Sequence, residues 1–248
     1  MIIFPAIDLK DGKCVRLYKG DFNKTTIFNF SPFNQALEFQ KKGFTHLHLV
    51  DLDGALKGKS KNKKIIIKIL KDTRLNVQLG GGIRTLKQIS FWIKNGVSTV
   101  VVGTMAIQNP KILKKACTLF PGQIAVALDV RNNFLAMKGW VKQTKIKLME
   151  FLKKFEDLGV SRIIYTDINR DGTKQGVDFT QLKKIINKVH IPLVVSGGIS
   201  NLKNVNASTN SSKGTPCWSP SDTEIANAFI KLLNAAPSLC MSIKISPN

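Results

Sequence analysis

The sequence predicts an α/β fold, a (βα)8 TIM barrel built from two duplicated half-barrels. Three observations carry this prediction. Short apolar runs alternate with segments of helical spacing, each run ends on small or acidic residues, and the chain repeats itself at a fixed offset. Parallel strands covered on both faces read as unbroken apolar runs, and their alternation with helices is the pattern of a crossover-connected parallel sheet.

The apolar runs lie at 2–7, 46–50, 76–79, 99–102, 124–128, 162–165 and 191–195. Between them, the segments 34–42, 63–71, 86–95, 110–119, 146–158 and 179–189 have helical spacing. In the longest, Leu148, Met149, Leu152, Phe155 and Leu158 form one apolar stripe opposite Lys147, Lys153 and Lys154, as a helix with one buried face requires. The runs end in order on Asp8, on Asp51 with Asp53, on Gly80-Gly81-Gly82, on Gly103-Thr104, on Asp129, on Thr166-Asp167 and on Ser196-Gly197-Gly198. The carboxyl ends of the strands are where an α/β barrel carries its active site. One polar ending is an ordinary turn; a series of them outlines a mouth.

The repeat points the same way. Lys42-Gly43-Phe44 matches Leu158-Gly159-Val160, Val50-Asp51-Leu52-Asp53 matches Thr166-Asp167-Ile168-Asn169, and Gly81-Gly82-Ile83 matches Gly197-Gly198-Ile199, each pair 116 residues apart. Asp8 and Asp129 are 121 residues apart, which gives the first loop of the first half about five extra residues. Two four-strand units of this kind close into an eight-stranded barrel, and the 248 residues of the chain match its usual length of about 250.

Composition narrows the function classes. With 43% hydrophobic residues the chain is too apolar for a disordered protein. No apolar run approaches the roughly 18 residues that span a bilayer, and the first eight residues, through Asp8, lack the basic flank and cleavage site of a signal peptide; a cytoplasmic protein with no membrane partner is expected. Cys14, Cys117, Cys217 and Cys240 stand far apart and read as free thiols rather than a zinc or disulfide framework. The 38 basic and 16 acidic residues leave a net charge of +22, which raises a polyanion partner as the first idea. Only six of the 38 are Arg, the residue suited to bidentate phosphate and base recognition. The lysines are scattered, so a solvated surface is expected and nucleic acid is not.

The duplication places Asp8 and Asp129 at the ends of strands one and five, which face each other across a barrel mouth. Two carboxylates flanking one cavity suit general acid/base chemistry, one ionised and the other kept protonated by its surroundings. The plain alternative is a pair of turn-capping residues, and Asp8-Leu9-Lys10-Asp11-Gly12 does contain its own turn signal. The symmetric placement favours chemistry. Gly80-Gly81-Gly82-Ile83-Arg84 and Ser196-Gly197-Gly198-Ile199-Ser200 each follow a strand and precede a helix. Glycine lets backbone approach an anion closely and the next helix offers free N–H groups, so two phosphate sites at opposite ends of a long substrate are expected. Gly54-Ala55-Leu56-Lys57-Gly58-Lys59-Ser60 has three residues between its glycines where a P-loop needs four, and is discarded. His46 and His48 fall early in their strand and His190 precedes strand seven, all read as pointing to the far end; no metal and no cofactor are expected.

A larger set of motifs resembles a known family. Phe4-Pro5-Ala6-Ile7-Asp8-Leu9-Lys10-Asp11-Gly12-Lys13-Cys14-Val15-Arg16-Leu17, Gly20-Asp21-Phe22, Val50-Asp51-Leu52-Asp53-Gly54-Ala55, Gln78-Leu79-Gly80-Gly81-Gly82-Ile83-Arg84, Ala127-Leu128-Asp129, Gly139-Trp140, Tyr165-Thr166-Asp167-Ile168, Arg170-Asp171-Gly172-Thr173 and Ser196-Gly197-Gly198-Ile199 resemble the phosphoribosylformimino-5-aminoimidazole carboxamide ribotide isomerases of histidine biosynthesis, from residue 1 to about 202. The resemblance implies an Amadori rearrangement without a cofactor, converting an aminoaldose ribotide to an aminoketose. It implies Asp8 as the general base at C2, Asp129 as the general acid at the ring oxygen and Thr166 beside Asp129. Trp140 and Asp171 would belong to loops that close on the substrate, with Gly81, Gly82, Arg84, Gly103, Thr104, Gly197 and Gly198 around its phosphates. The expected partner is a small, doubly phosphorylated ribotide, bound by a monomer. The sibling cyclase barrel of the same pathway shares the paired Asp and the duplication, but Ala6-Ile7-Asp8-Leu9-Lys10 and Val15-Arg16-Leu17-Tyr18 favour the isomerase. An inactive or polyanion-binding barrel is the third reading.

That third reading rests on the tail. The repeat offset predicts strand eight at 213–220, where the sequence is Lys213-Gly214-Thr215-Pro216-Cys217-Trp218-Ser219-Pro220; two prolines and no β-branched apolar run make a poor central strand. Residues 203–248 are therefore expected to form an atypical segment, foreign to the fold, in place of strand eight and the last helix. Residues 1–202 would carry strands one to seven, with strands one and seven left as open edges. Ser221-Asp222-Thr223-Glu224 is a candidate capping box for a final helix. Asn206 and Asn210 head glycosylation sequons that nothing in the sequence sends to a secretory compartment.

Overall fold

Eight strands pair into a closed ring in the computed structural model, which describes residues 2–173 and 175–199 and the backbone of 240–245. In chain order, β1 (Ile2–Lys10) continues into a hairpin of β2 (Lys13–Tyr18) and β3 (Asp21–Asn29), followed by α1 (Pro32–Lys41). Then come β4 (His46–Asp51), α2 (Leu52–Lys57), α3 (Lys63–Asp72), β5 (Asn76–Gly80), α4 (Leu86–Lys94), β6 (Thr99–Val102), α5 (Thr104–Gln108) and α6 (Pro110–Leu119). The second half holds β7 (Ile124–Arg131), a hairpin of β8 (Phe134–Met137) and β9 (Lys142–Lys147), α7 (Leu148–Leu152), a 3-10 turn over Lys153–Leu158, β10 (Arg162–Asp167), α8 (Phe179–Ile186), β11 (Leu193–Ser196) and β12 (Cys240–Ile245).

The ring order is β1-β4-β5-β6-β7-β10-β11-β12, returning to β1. Pairing is parallel from β1 through to β11. The two pairings of β12 are antiparallel, with Ile2 opposite Lys244 and Ala6 opposite Cys240 on one side, and Leu193 opposite Ile245 and Ser196 opposite Ser242 on the other. β1 and β11 are therefore not open edges; their backbone N–H and C=O groups have partners, as buried backbone requires. The signal for this strand is the alternation Met241, Ile243, Ile245 against Ser242 and Lys244, a period-2 pattern that the 116-residue offset passes over. The segment 213–220, the helix expected from Ser221, and Asn206 and Asn210 lie outside the described residues.

Local chemistry sets the helix starts. Ser31 accepts a hydrogen bond from the N–H of Asn34 ahead of Pro32, Thr85 and Gln88 form a reciprocal capping box, and Asp178 accepts from the N–H of Gln181, each satisfying N–H groups a helix start leaves free. The apolar stripes then face the ring: Ile66 and Ile69 of α3, Ile89 of α4, Leu113 and Ala116 of α6, Leu182 and Ile185 of α8 are fully buried. Each of these Ile and Leu side chains contributes about 1.5–3 kcal/mol relative to exposure. A second, smaller core of Val101, Ala125, Ile164 and Val194 fills the barrel interior. The segment 146–158 is not one helix: Lys142–Lys147 pairs with β8, and helix starts only at Leu148. Among the described residues no helix is long and apolar enough to cross a membrane.

Candidate active site

Asp8 and Asp129 line one cavity at the carboxyl ends of the parallel strands. Their strands, β1 and β7, are separated by three strands either way around the ring, so the two carboxyls face each other across the mouth. The cavity opens to solvent at the mouth and reaches from Arg84 and Thr104 on one side to Ser196 on the other.

Both carboxyls are lifted towards neutrality. Burial raises Asp8 to about 7, against the opposing pull of Arg16, with Asp171 adding to the rise. Burial raises Asp129 to about 6, while hydrogen bonds from the side chains of Trp140 and Thr166 hold it down and Asp171 again pushes upward. Removing water from around a carboxylate disfavours its charged form, and donors or cations restore part of the loss. Asp171 is itself buried and held by Arg16, whose Nη2 lies 3.1 Å from its Oδ1. Both carboxyls thus feel a third one, Asp171, which is paired with a guanidinium 155 residues away along the chain.

The glycine turns are built alike in the two halves. Gly81 and Gly82 have φ of 105° and 73°, and Gly197 and Gly198 have φ of 89° and 85°, where side chains with a Cβ are strained. A Cβ on Gly81 would overlap the backbone of Asp51, and one on Gly197 the backbone of Asp167; Gly82 and Gly198 likewise abut the carbonyls of Gly54 and Gly176. Gly81, Gly82, Arg84, Gly103 and Thr104 all line the cavity. Arg84 is steered there by a 2.9 Å hydrogen bond from Nη2 to the carbonyl of Ala55. Gly197 and Gly198 stand behind Ser196, which lines the cavity where they do not.

Three loops meet over the opening. Trp140, with φ of 69°, rests its ring on Gly20 of the β2–β3 turn, where a Cβ would collide with it. The N–H of Lys19 donates to the carbonyl of Asp171 at 3.2 Å. Thr166, Trp140 and Asp171 all line the cavity beside the two aspartates.

Some residues are placed differently from the sequence reading. Asp51 and Asp53 do not face the mouth; they form a buried network in which Asn62 Nδ2 donates to Asp51 Oδ1 at 2.7 Å and to Asp53 Oδ2 at 3.0 Å. Asp53 also accepts from the N–H of Asp11, and Asn62 from that of Gly12, tying the turn after Asp8 to α2. His48 was expected at the far end, but it lines the cavity. The reason is strand alternation: Leu47 and Leu49 pack under the helices, so His48 and Val50 turn inward. Arg16 and Lys138 also belong to the site surroundings; Arg16 could be found from the β2 pairing of Val15 with Asp8. Among the described residues no group of three or more His, Cys, Asp or Glu converges as a metal site.

Known proteins share this chain's sequence over most of its length. The model of the family described as "Histidine biosynthesis protein" matches residues 2–215. The 1-(5-phosphoribosyl)-5-((5-phosphoribosylamino)methylideneamino) imidazole-4-carboxamide isomerase of Nitrobacter hamburgensis is 44% identical over 207 residues, 84% of this chain and 84% of that protein. The protein of the same name from Caulobacter vibrioides is 48% identical over 200 residues, 81% of this chain and 83% of its own. That of Brucella anthropi is 45% identical over 205 residues, 83% and 84% respectively.

Proposed function

The chain belongs to the histidine biosynthesis protein family, and from that premise we propose that it is the ribotide isomerase, converting a doubly phosphorylated aminoaldose to an aminoketose in the cytoplasm. The observation that carries the reading is the pair of buried carboxyls, Asp8 and Asp129, facing one another with values near neutrality. Groups poised there can each give or take a proton at physiological pH.

The chemistry starts with two proton transfers and ends with a tautomerisation that moves a proton off the C2 hydroxyl and puts one on C1. Asp129 gives its proton to the ribose ring oxygen; the C1–O bond breaks, its electron pair goes to that oxygen, and the C1 nitrogen lends its lone pair to form an iminium. Asp8 then takes the proton from C2, and the C2–H electrons close a C1–C2 double bond as the nitrogen recovers its pair. The resulting enolamine tautomerises to the ketose. Thr166 and Trp140 hold Asp129 by hydrogen bonds and restrain its carboxyl towards the ring oxygen. Gly81, Gly82, Arg84, Gly103 and Thr104 would receive one phosphate, and the turn at Ser196, Gly197 and Gly198 the other. The lysine-rich surface supports attraction of this anionic small molecule rather than of nucleic acid.

These roles need Asp8 ionised while Asp129 is protonated, and burial lifts both carboxyls to where either can exchange a proton near neutral pH. The test is isomerisation of the aminoaldose ribotide by the purified chain, with Asp8→Asn and Asp129→Asn alongside. Turnover lost in both variants supports the assignment; full turnover in either removes that residue from it.

A further inference from the structure

Beneath the two carboxyls the barrel floor is polar on one side only. His48 of β4 lies level with Ala6 and Gln78, and Asp8 level with Val50 and Gly80, so the imidazole sits about 6–7 Å below the layer of Asp8. Its Nδ1 is 2.9 Å from Nε2 of Gln78. Gln78 is 1% exposed, and its Oε1 is buried without a hydrogen-bond partner. With the amide so oriented, Gln78 Nε2 donates, Nδ1 is the acceptor and the ring proton lies on His48 Nε2.

The duplication shows what the fold alone requires at these places. The residues 116 positions on from His48 and Gln78 are Ile164 and Val194. They occupy the matching register on β10 and β11 and pack together in the interior core. The same architecture is thus satisfied by an apolar pair in one half, while the other half keeps a buried amide with an unmet carbonyl. Burying polar groups that could be apolar lowers stability, so the pair is retained for something that enters the cavity.

We propose that His48 is a substrate-binding residue, donating its Nε2–H to a hydroxyl oxygen of the ribose, and that Gln78 is a positioning residue that sets the tautomer and orientation of the ring. The proposal rests on the isomerase reading, which puts the reacting sugar between Asp8 and Asp129 and its phosphates at the glycine turns. The hydroxyl-bearing carbons then lie over the floor. Burial holds His48 down to about 4, so it remains a neutral donor across the working range and moves no proton.

The test writes the second half into the first. His48→Ile, Gln78→Val and the double variant are assayed beside wild type and Asp129→Asn. His48→Ile is expected to raise KM and lower kcat/KM about tenfold or more, Gln78→Val less, and the double variant to be no worse than His48→Ile, because Gln78 acts through the ring. Melting stays cooperative with Tm unchanged or higher, which separates lost binding from lost fold. His48→Gln, which keeps a donor, recovers part of the loss. With only three histidines in the chain, imidazole 15N spectra of Asp129→Asn show the Nε2–H signal of His48 moving when substrate is added. A double variant with wild-type kcat/KM, beside an inactive Asp129→Asn, overturns the role of His48 and leaves the isomerase reading standing. A wild-type chain without turnover overturns the isomerase reading and this one with it.

Discussion

The two halves of the barrel use the same frame for unequal tasks. Asp8 and Asp129 end equivalent strands and burial lifts both, yet the rise is offset by the charge of Arg16 at Asp8 and by the neutral donors Trp140 and Thr166 at Asp129. The glycine turns press on matching backbone, Asp51 in one half and Asp167 in the other. The eighth place differs outright: where β6 runs parallel into Gly103-Thr104 at the mouth, β12 runs antiparallel and brings its first residue, Cys240, to the level of Ala6 near that mouth. Backbone pairing can be completed by a strand of either direction, but only a parallel strand delivers its carboxyl-end turn to the active face. Closing the ring therefore asks less of the eighth strand than equipping the site does.

The largest expected effect comes from removing the odd strand. Deleting 240–248 strips the partner from both β1 and β11. The truncated chain is expected to lose its cooperative thermal transition and to bind hydrophobic dye, as unpaired strands and exposed apolar faces dictate. A truncated protein that melts like wild type would show that β12 is dispensable.

Next in size are the carboxyls. Asp8→Asn and Asp129→Asn should each lower kcat by about 10²–10⁴-fold, the usual worth of a positioned acid or base. Their stability should move the other way. Both groups have raised folded values, so their neutral forms stabilise the fold fully below about 3.8 and that contribution is lost as pH rises through about 7 for Asp8 and about 6 for Asp129. At pH 8 the Asn variants should therefore melt higher, Asp8→Asn by roughly 5 °C or more and Asp129→Asn by less, with the gain gone at pH 3. Calorimetry at the two pH values checks both sign and order.

The glycine turns test the shared frame. Gly82→Ala and Gly198→Ala each drive a Cβ into a backbone carbonyl from a left-handed conformation, and each should lower Tm by about 5–10 °C. Both should also raise KM, Gly82→Ala the more, because Gly82 itself lines the cavity whereas Ser196 does so for the other turn. Equal KM effects would show the two turns to be equivalent phosphate seats.

The smallest effect is a shape. The pH–rate profile should be a narrow bell with its maximum between about 6 and about 7; protonation of Asp8 forms the acid limb and ionisation of Asp129 the basic one. Arg16→Met should move the bell to higher pH by removing the cation that holds Asp8 down. A profile flat from pH 5 to 9 would mean that neither carboxyl titrates in turnover.

Most of the fold was legible in the sequence. Every apolar run from 2–7 to 191–195 overlaps a strand of the ring, because burial on both faces leaves a local, unbroken signal. The hairpins β2–β3 and β8–β9 were not legible: Lys142–Lys147 is mostly exposed and carries no apolar run. α2 was hidden in a segment discarded as a failed P-loop, and its start depends on Asp51 capping Gly54. For the site, the repeat alone pairs Asp8 with Asp129 at equivalent strand ends. It could not rank Asp51 below Asp8, since both end strands; the difference is Asn62, which donates to Asp51 Oδ1 and Asp53 Oδ2 from eleven and nine residues away.

The sequence by itself determined the alternating elements, the duplication and the family, because periodicity, turn residues and motif spacing are properties of neighbours along the chain. Only the tertiary structure decided that the ring closes through an antiparallel strand, that His48 faces the cavity, and that Arg16, Asp171 and Trp140 tune two carboxyls. Register, burial and electrostatics join residues more than a hundred positions apart, and desolvation is a property of the enclosed space rather than of any segment that encloses it.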